Sequence, residues 1–190
     1  MWIMSDTEDK STMLEKISKS VYRWVEMHGE ARGEPYTWNS YAVDCPESQV
    51  LALIDPLVMS EAEALELDAI RPPTHILLSC EYHVRNALAY RERWGCQILV
   101  SVQEKDWYDI DVDGTFEDGA CLWGKVNLVY VPDVVFKETA FWIKQERVLV
   151  VGDLLAGERL DLGVRDEDLA VIGPKFIDDL GKARGSLERL

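Results

Sequence analysis

The chain has 190 residues, 47 % of them apolar and 29 % charged, which is the profile of a folded globular protein and excludes a disordered or fibrous one. Its 35 acidic residues outweigh 20 basic ones, for a net charge of −15. That charge repels phosphate backbones and anionic lipid, so neither nucleic acid nor a membrane is an expected partner. No apolar run reaches the roughly 18 residues of a membrane helix, and the start of the chain lacks the basic and apolar parts of a signal peptide. The expectation is a cytoplasmic protein, with a flexible extension over 1–13 and a single domain over 14–190. The four cysteines, at 45, 80, 96 and 121, form no CxxC pair and read as reduced thiols.

In chain order, residues 16–25 are β-branched and aromatic and suit a strand, with a helix left open. Residues 30–35 carry Gly and Pro and mark a turn. Residues 37–44 and 50–54 read as a hairpin, and Pro56, having no N–H to give, stops the second strand. Residues 60–70 form a short helix, with Ser60 as N-cap and Glu63 completing a capping box. Residues 74–79 and 97–102 are continuous apolar strands of the kind buried on both faces. Between them residues 82–94 form a helix closed by Gly95, which makes a parallel βαβ unit. Residues 109–132 hold two or three alternating strands with turns at Asp113-Gly114, Asp118-Gly119 and Gly124. Residues 139–144 and 147–152 pair as strands, and a last helix runs from about 176 to the end.

Three stretches carry a resemblance. They are Leu53-Ile-Asp-Pro, the block Ile76-Leu-Leu-Ser-Cys-Glu-Tyr-His-Val-Arg-Asn-Ala, and Glu138-Thr-Ala-Phe-Trp-Ile continuing to Val148-Leu-Val-Val-Gly-Asp-Leu-Leu. In this order and spacing they resemble the metallo-β-lactamase superfamily over roughly residues 14–160. The resemblance implies an α/β (α+β) fold, a four-layer αββα sandwich, here shortened at its C-terminus. It also implies a His-x-His-x-Asp-His metal loop after one strand and a metal-bridging Asp in a later Gly-Asp.

The metal loop departs from that pattern. Its two first His positions hold Cys80 and Tyr82, its Asp position Val84, and its last His position Arg85. A shift by one residue rescues only His83 and leaves Glu81, Arg85 and Asn86 at the other motif positions. The family's next His falls near Val134, beside Asp133. Gly152-Asp153 survives. The whole chain has three histidines, fewer than a two-metal site of this family needs. Hydrolytic zinc is held by neutral imidazoles and carboxylates with an open position for water.

The expected function is therefore a non-catalytic relative that binds a small molecule or protein in a vestigial cleft of Cys80, Glu81, Tyr82, His83, Arg85, Asp133 and Asp153. No cofactor is expected. The alternatives are a noncanonical hydrolase of esterase or thioesterase type with zinc or another divalent metal on Glu81, His83 and Asp153, and a structural subunit of a homo-oligomer. Arg85 and Asp153 are candidates for an ion pair in place of the metal. The bland reading of Asp153 is a strand-end carboxylate that caps backbone N–H groups. Cys80 with His83 lacks a third orienting group for nucleophilic catalysis. The run Asp109-Ile-Asp-Val-Asp-Gly starts like a calcium loop, but Ala120 stands where the twelfth-position Glu is required. It reads better as an edge strand with a hairpin turn.

Overall fold

In the computed structural model, the described residues are 14–31, 34–132, 134–135, 137–156, 170–171 and 176–189. Seven strands form the first sheet in sequence order: β1 (Glu15–Lys16), β2 (Val21–Ala31), β3 (Glu34–Cys45), β4 (Val50–Ile54), β5 (His75–Leu77), β6 (Gln97–Ser101) and β7 (Gly114–Phe116). Neighbours from β1 to β4 pair antiparallel, and those from β4 to β7 pair parallel. The parallel part needs crossovers. They are supplied by helix α1 (Glu61–Ile70), helix α2 (Ala87–Trp94) and a loop over 102–113. A second, antiparallel sheet follows the order β11 (Val148–Val150), β10 (Glu138–Ile143), β9 (Val126–Val131), β8 (Cys121–Leu122). A short pair, β12 (Leu155–Ala156) with β13 (Ala170–Val171), and helix α3 (Leu180–Leu187) complete the described chain.

Strand alternation explains the layers. On β4, Leu51 and Leu53 join a core with Leu67 of α1 and Ala87 and Tyr90 of α2. Val50, Ala52 and Ile54 point the other way, into a core with Val126, Leu128, Phe141, Ile143 and Val150 of the second sheet. A third cluster packs Val131, Val134 and Leu154 under Ala183 of α3. Helices, sheet, sheet, helix is the expected four-layer sandwich. No helix among the described residues is long and apolar enough to cross a membrane.

The capping box forms as read, with the Ser60 hydroxyl accepting from Glu63 N and the Glu63 carboxylate accepting from Ser60 N. Gly95 closes α2 in the left-handed conformation at φ +71°. Residues 21–31 resolve as strand, not helix, and β2 and β3 reach into the expected turn over 30–35, pairing as far as Ala31 with Glu34. The helix expected from residue 82 begins only at Ala87. A 3-10 turn over Glu81–His83 precedes it, and Arg85 interrupts the chain at φ +44°. Residues 109–113 are not an edge strand. Asp113 instead accepts Ile98 N at 2.8 Å through its carboxylate, and the edge strand starts at Gly114 where a turn was expected. The extension over 1–13 lies outside the described residues.

Candidate functional site

Parallel strands end together, so whatever follows β4, β5 and β6 gathers on one edge of the sandwich. β4 ends at Ile54, and Asp55 follows it, held at φ +47° with Pro56 behind it. Its backbone N–H donates to Leu77 O at 3.1 Å. Its carboxylate accepts Ser79 N at 2.8 Å and the Ser79 hydroxyl at 2.6 Å. Ser79 follows β5, and the 3-10 turn after it swings His83 back over both residues.

His83 is 6 % exposed. Its Nδ1 lies 3.0 Å from Asp55 Oδ2 and 2.8 Å from Ser79 Oγ, and its Nε2 lies 3.6 Å from Asp153 Oδ2. Ser79 Oγ gives its proton to Asp55, so it can only accept from Nδ1–H. Both ring nitrogens then face oxygen acceptors, an arrangement that suits the doubly protonated imidazolium. Burial alone would lower the pKa of His83. The Asp55 charge and the facing Asp153 carboxylate override it and push the group up to about 12. Asp153 is held below the usual carboxylate range, first by its contact with His83 and further by the charges of His83 and Arg85.

This is not a Ser–His–Asp triad. There the acid and the nucleophile occupy opposite ring nitrogens, whereas here both meet Nδ1 and Ser79 is fully buried. Cys80 is 1 % exposed, and burial raises its thiol despite the neighbouring His83, so it is no ready nucleophile.

Glu138, at the start of β10, is fully buried. It accepts three backbone N–H groups, from Gly152 at 3.0 Å, Asp153 at 2.7 Å and Leu154 at 2.9 Å. Burial still raises its pKa to about 7 against the pull of those donors. The capping role expected of Asp153 thus belongs to Glu138. A Cβ at Gly152 would stand 2.8 Å from Ser79 Oγ and 3.0 Å from both Glu138 Oε2 and His83 Cε1, so only glycine fits there.

Arg85 does not form the expected ion pair with Asp153. Its Nη1 donates to the carbonyls of Asn39 at 3.1 Å and Asp55 at 3.0 Å, and its guanidinium lies 5.3 Å from the centre of the Trp38 ring. That ties the β2–β3 hairpin to the site. Tyr82 points outward, 62 % exposed, and Glu81 is half-buried. Asp133 lies outside the described residues. The structure therefore brings His83, Asp153 and Cys80 together and adds four groups that sequence reasoning did not single out: Asp55, Ser79, Glu104 and Glu138. Asp55 and Ser79 stand just past apolar strands of the parallel part, a signal that a search of parallel-strand ends would find, whereas Glu138 begins an antiparallel strand.

Glu104, after β6, is 1 % exposed, and neither of its carboxyl oxygens has a hydrogen-bond partner among the described residues. Burial first, then the Glu81 carboxylate, push its pKa up to about 8. Tyr130 pulls the other way without giving either oxygen a hydrogen bond of normal geometry. The hydroxyls of Tyr108 and Thr139 are buried and unpartnered in the same sense.

The metallo-β-lactamase FIM-1 from Pseudomonas aeruginosa, in its mono-zinc form, matches this fold with a TM-score of 0.68 at 10 % identity, over 93 % of this chain and 81 % of that one. A metallo-β-lactamase from Hirschia baltica matches with a TM-score of 0.67 at 11 % identity, over 93 % and 84 %. TTHA1623 in a di-iron-bound form matches with a TM-score of 0.57 at 22 % identity, over 87 % and 84 %. At these identities the likeness is one of fold alone. No curated protein matches the sequence. A family model described as the metallo-beta-lactamase superfamily matches residues 16–165, and the chain belongs to that superfamily.

Proposed function

We propose that this chain is a non-catalytic member of the superfamily, in which a buried imidazolium stands where relatives hold metal and the surrounding cleft binds a small molecule or a protein partner. The observation that carries this reading is the placement of His83. Its two nitrogens are turned toward Asp55 with Ser79 and toward Asp153, and a protonated imidazole has no lone pair to give a metal.

The donor chemistry does not fit the family's metals. The positions of the loop motif offer a buried thiol, an outward-pointing phenol, Val84 and a guanidinium. Arg85 also places a fixed positive charge next to Asp55. Among the described residues no three His, Cys, Asp or Glu side chains are grouped to hold a metal ion.

A second reading is a reduced one-metal hydrolase on Glu81, His83 and Asp153. It is favoured by Asp153, whose side chain keeps 47 % of its surface exposed while facing His83 Nε2. Metal content before and after incubation with Zn²⁺, Mn²⁺ and Fe²⁺ separates the two. The first reading expects metal that washes off on desalting and a ¹⁵N spectrum with both His83 ring nitrogens protonated at neutral pH. Near-stoichiometric metal that survives desalting, lost in His83→Ala and Asp153→Ala, would establish the second.

A further inference from the structure

Glu104 is a carboxyl shut away from water without a partner. It is 1 % exposed, and neither oxygen finds a hydrogen bond among the described residues. A charge held in that way is costly, so such a group either stays neutral or draws a counter-charge to itself when it ionises. Its backbone is fixed. Glu104 N donates to Ser101 O at 3.1 Å, and Glu104 O accepts Trp107 N at 2.9 Å. Glu104 therefore opens a single 3-10 turn, Lys105–Trp107, shortly after β6.

That turn decides what lies beside the carboxyl. Side chains three apart on a 3-10 helix eclipse one another, so the Trp107 indole shares the Glu104 side of the turn. The indole is 46 % exposed, whereas the carboxyl is sealed. Lys137, just ahead of β10 in the second sheet, lays its ammonium on that ring, 4.2 Å from the centre. Carboxyl, indole and ammonium are thus linked in that order along one seam, between the loop after β6 and the start of β10.

The groups facing Glu104 leave one candidate partner for its charge. Glu81, from the 3-10 turn ahead of α2, and Glu138, at the start of β10, oppose that charge. Tyr130 of β9 and Lys137 favour it, and of these Lys137 is the cation. On the same turn as Glu104, Lys105 and Asp106 are exposed. The present seat of the ammonium is a weak one, because a cation over a half-exposed ring gains little, whereas an ammonium on a carboxylate makes one of the stronger hydrogen bonds.

We propose that Lys137 is a latch with two seats, the face of Trp107 while the Glu104 carboxyl is protonated and the Glu104 carboxylate once its proton has left to water. In the second seat the ammonium leaves the indole bare at the edge of the cleft. The latch sits one residue from Glu138, the carboxyl that holds the backbone of Gly152, Asp153 and Leu154. The inference does not depend on whether the cleft is catalytic, since none of its three residues is a candidate metal ligand.

The test is an NMR titration of the full chain between about pH 6 and pH 10. It follows the Glu104 carboxyl carbon, the Lys137 side-chain Cε and the Trp107 indole N–H, the last assigned by its loss in Trp107→Phe. All three are expected to shift together with one midpoint near 8. In Glu104→Gln, which keeps the shape and cannot ionise, the shifts of Trp107 and Lys137 are expected to vanish. In Lys137→Met the Glu104 midpoint should rise by about one to three pH units, the influence of an opposite charge at contact, and the indole should stop responding. A Glu104 carboxyl that titrates while Trp107 and Lys137 stay still would overturn the proposal. So would an indole shift that survives Glu104→Gln, which would belong to Glu138 or Tyr130, or a Glu104 midpoint indifferent to Lys137→Met. The wild-type titration decides the matter by itself if a variant fails to fold.

Discussion

The two ends of strand β10 carry buried charge in opposite ways. Past its C-terminal end, Glu146 accepts from the Ser18 and Ser20 hydroxyls, from Ser20 N at 2.9 Å and from Lys125 Nζ at 2.8 Å. Lys125 in turn donates to Ser20 and to the Asp44 carbonyl. Every charge there has its partners, and Glu146 is pulled down to about 2, by the Lys125 and serine hydrogen bonds acting against burial. At the N-terminal end, Glu138 and Glu104 are raised to about 7 and about 8 by burial, and Glu104 has no partner among the described residues. The closed network fastens β2, β3 and β9 to the turn after β10. The open one sits where the parallel strands end. Full satisfaction marks a joint, whereas at the open end burial, not a partner, sets the protonation of the carboxyl.

The largest effect should come from breaking the closed end. Glu146→Ala strips Lys125 and two serines of their acceptor and should cost about 3 kcal/mol in urea unfolding. Because the folded pKa of Glu146 is depressed, its contribution is present above the ordinary 4.5 and fades as pH falls toward about 2. The wild type should therefore approach the stability of the variant in acid, and a difference that persists unchanged at pH 2 would contradict the assignment.

Next in size is Asp55→Asn, which leaves the His83 cation without its nearest counter-charge. A loss of about 2 kcal/mol is expected at neutral pH, with the His83 ring titrating well below about 12 in NMR. A raised His pKa stabilises most below 6.5 and less as pH climbs toward about 12. The gap between wild type and variant should therefore narrow in strongly alkaline solution.

Glu104→Gln should act with the opposite sign. A carboxyl raised to about 8 favours the fold below 4.5 and loses that contribution as pH rises through about 8. The variant should gain on the order of 1 kcal/mol over wild type at pH 9 and nothing at pH 4, read from thermal midpoints. Equal midpoints at both pH values would mean that Glu104 is already paired. The smallest effect is expected at a site outside both networks: Ser60→Ala should cost about 1 kcal/mol through the lost cap and leave the titration of His83 untouched.

Much of the frame was legible because its causes are local. Ser60 with Glu63, Gly95 after Trp94 and Pro56 after Asp55 each act within a few residues, and the apolar runs at 50–54, 76–78 and 97–101 announce strands buried on both sides. The resemblance was carried by those same runs. The site was legible only in outline. His83, Cys80 and Asp153 could be placed by motif, but the partners of His83 could not. Asp55 lies 28 residues away from it in the chain, and only sheet pairing brings the two together. Nor does a list of carboxylates tell which one meets a cation. Arg85 looked like the natural partner of Asp153, yet its left-handed backbone turns the guanidinium toward Asn39, Asp55 and Trp38. Glu104 gave no signal at all, since a glutamate in a polar stretch after a strand ordinarily faces solvent.

Gly152 gives this arrangement a history as well as a shape. A single methyl there would strike Ser79, Glu138 and His83 at once. A lineage that keeps this network therefore cannot change that position one step at a time: Ser79, Glu138 and His83 would have to make room for the new side chain.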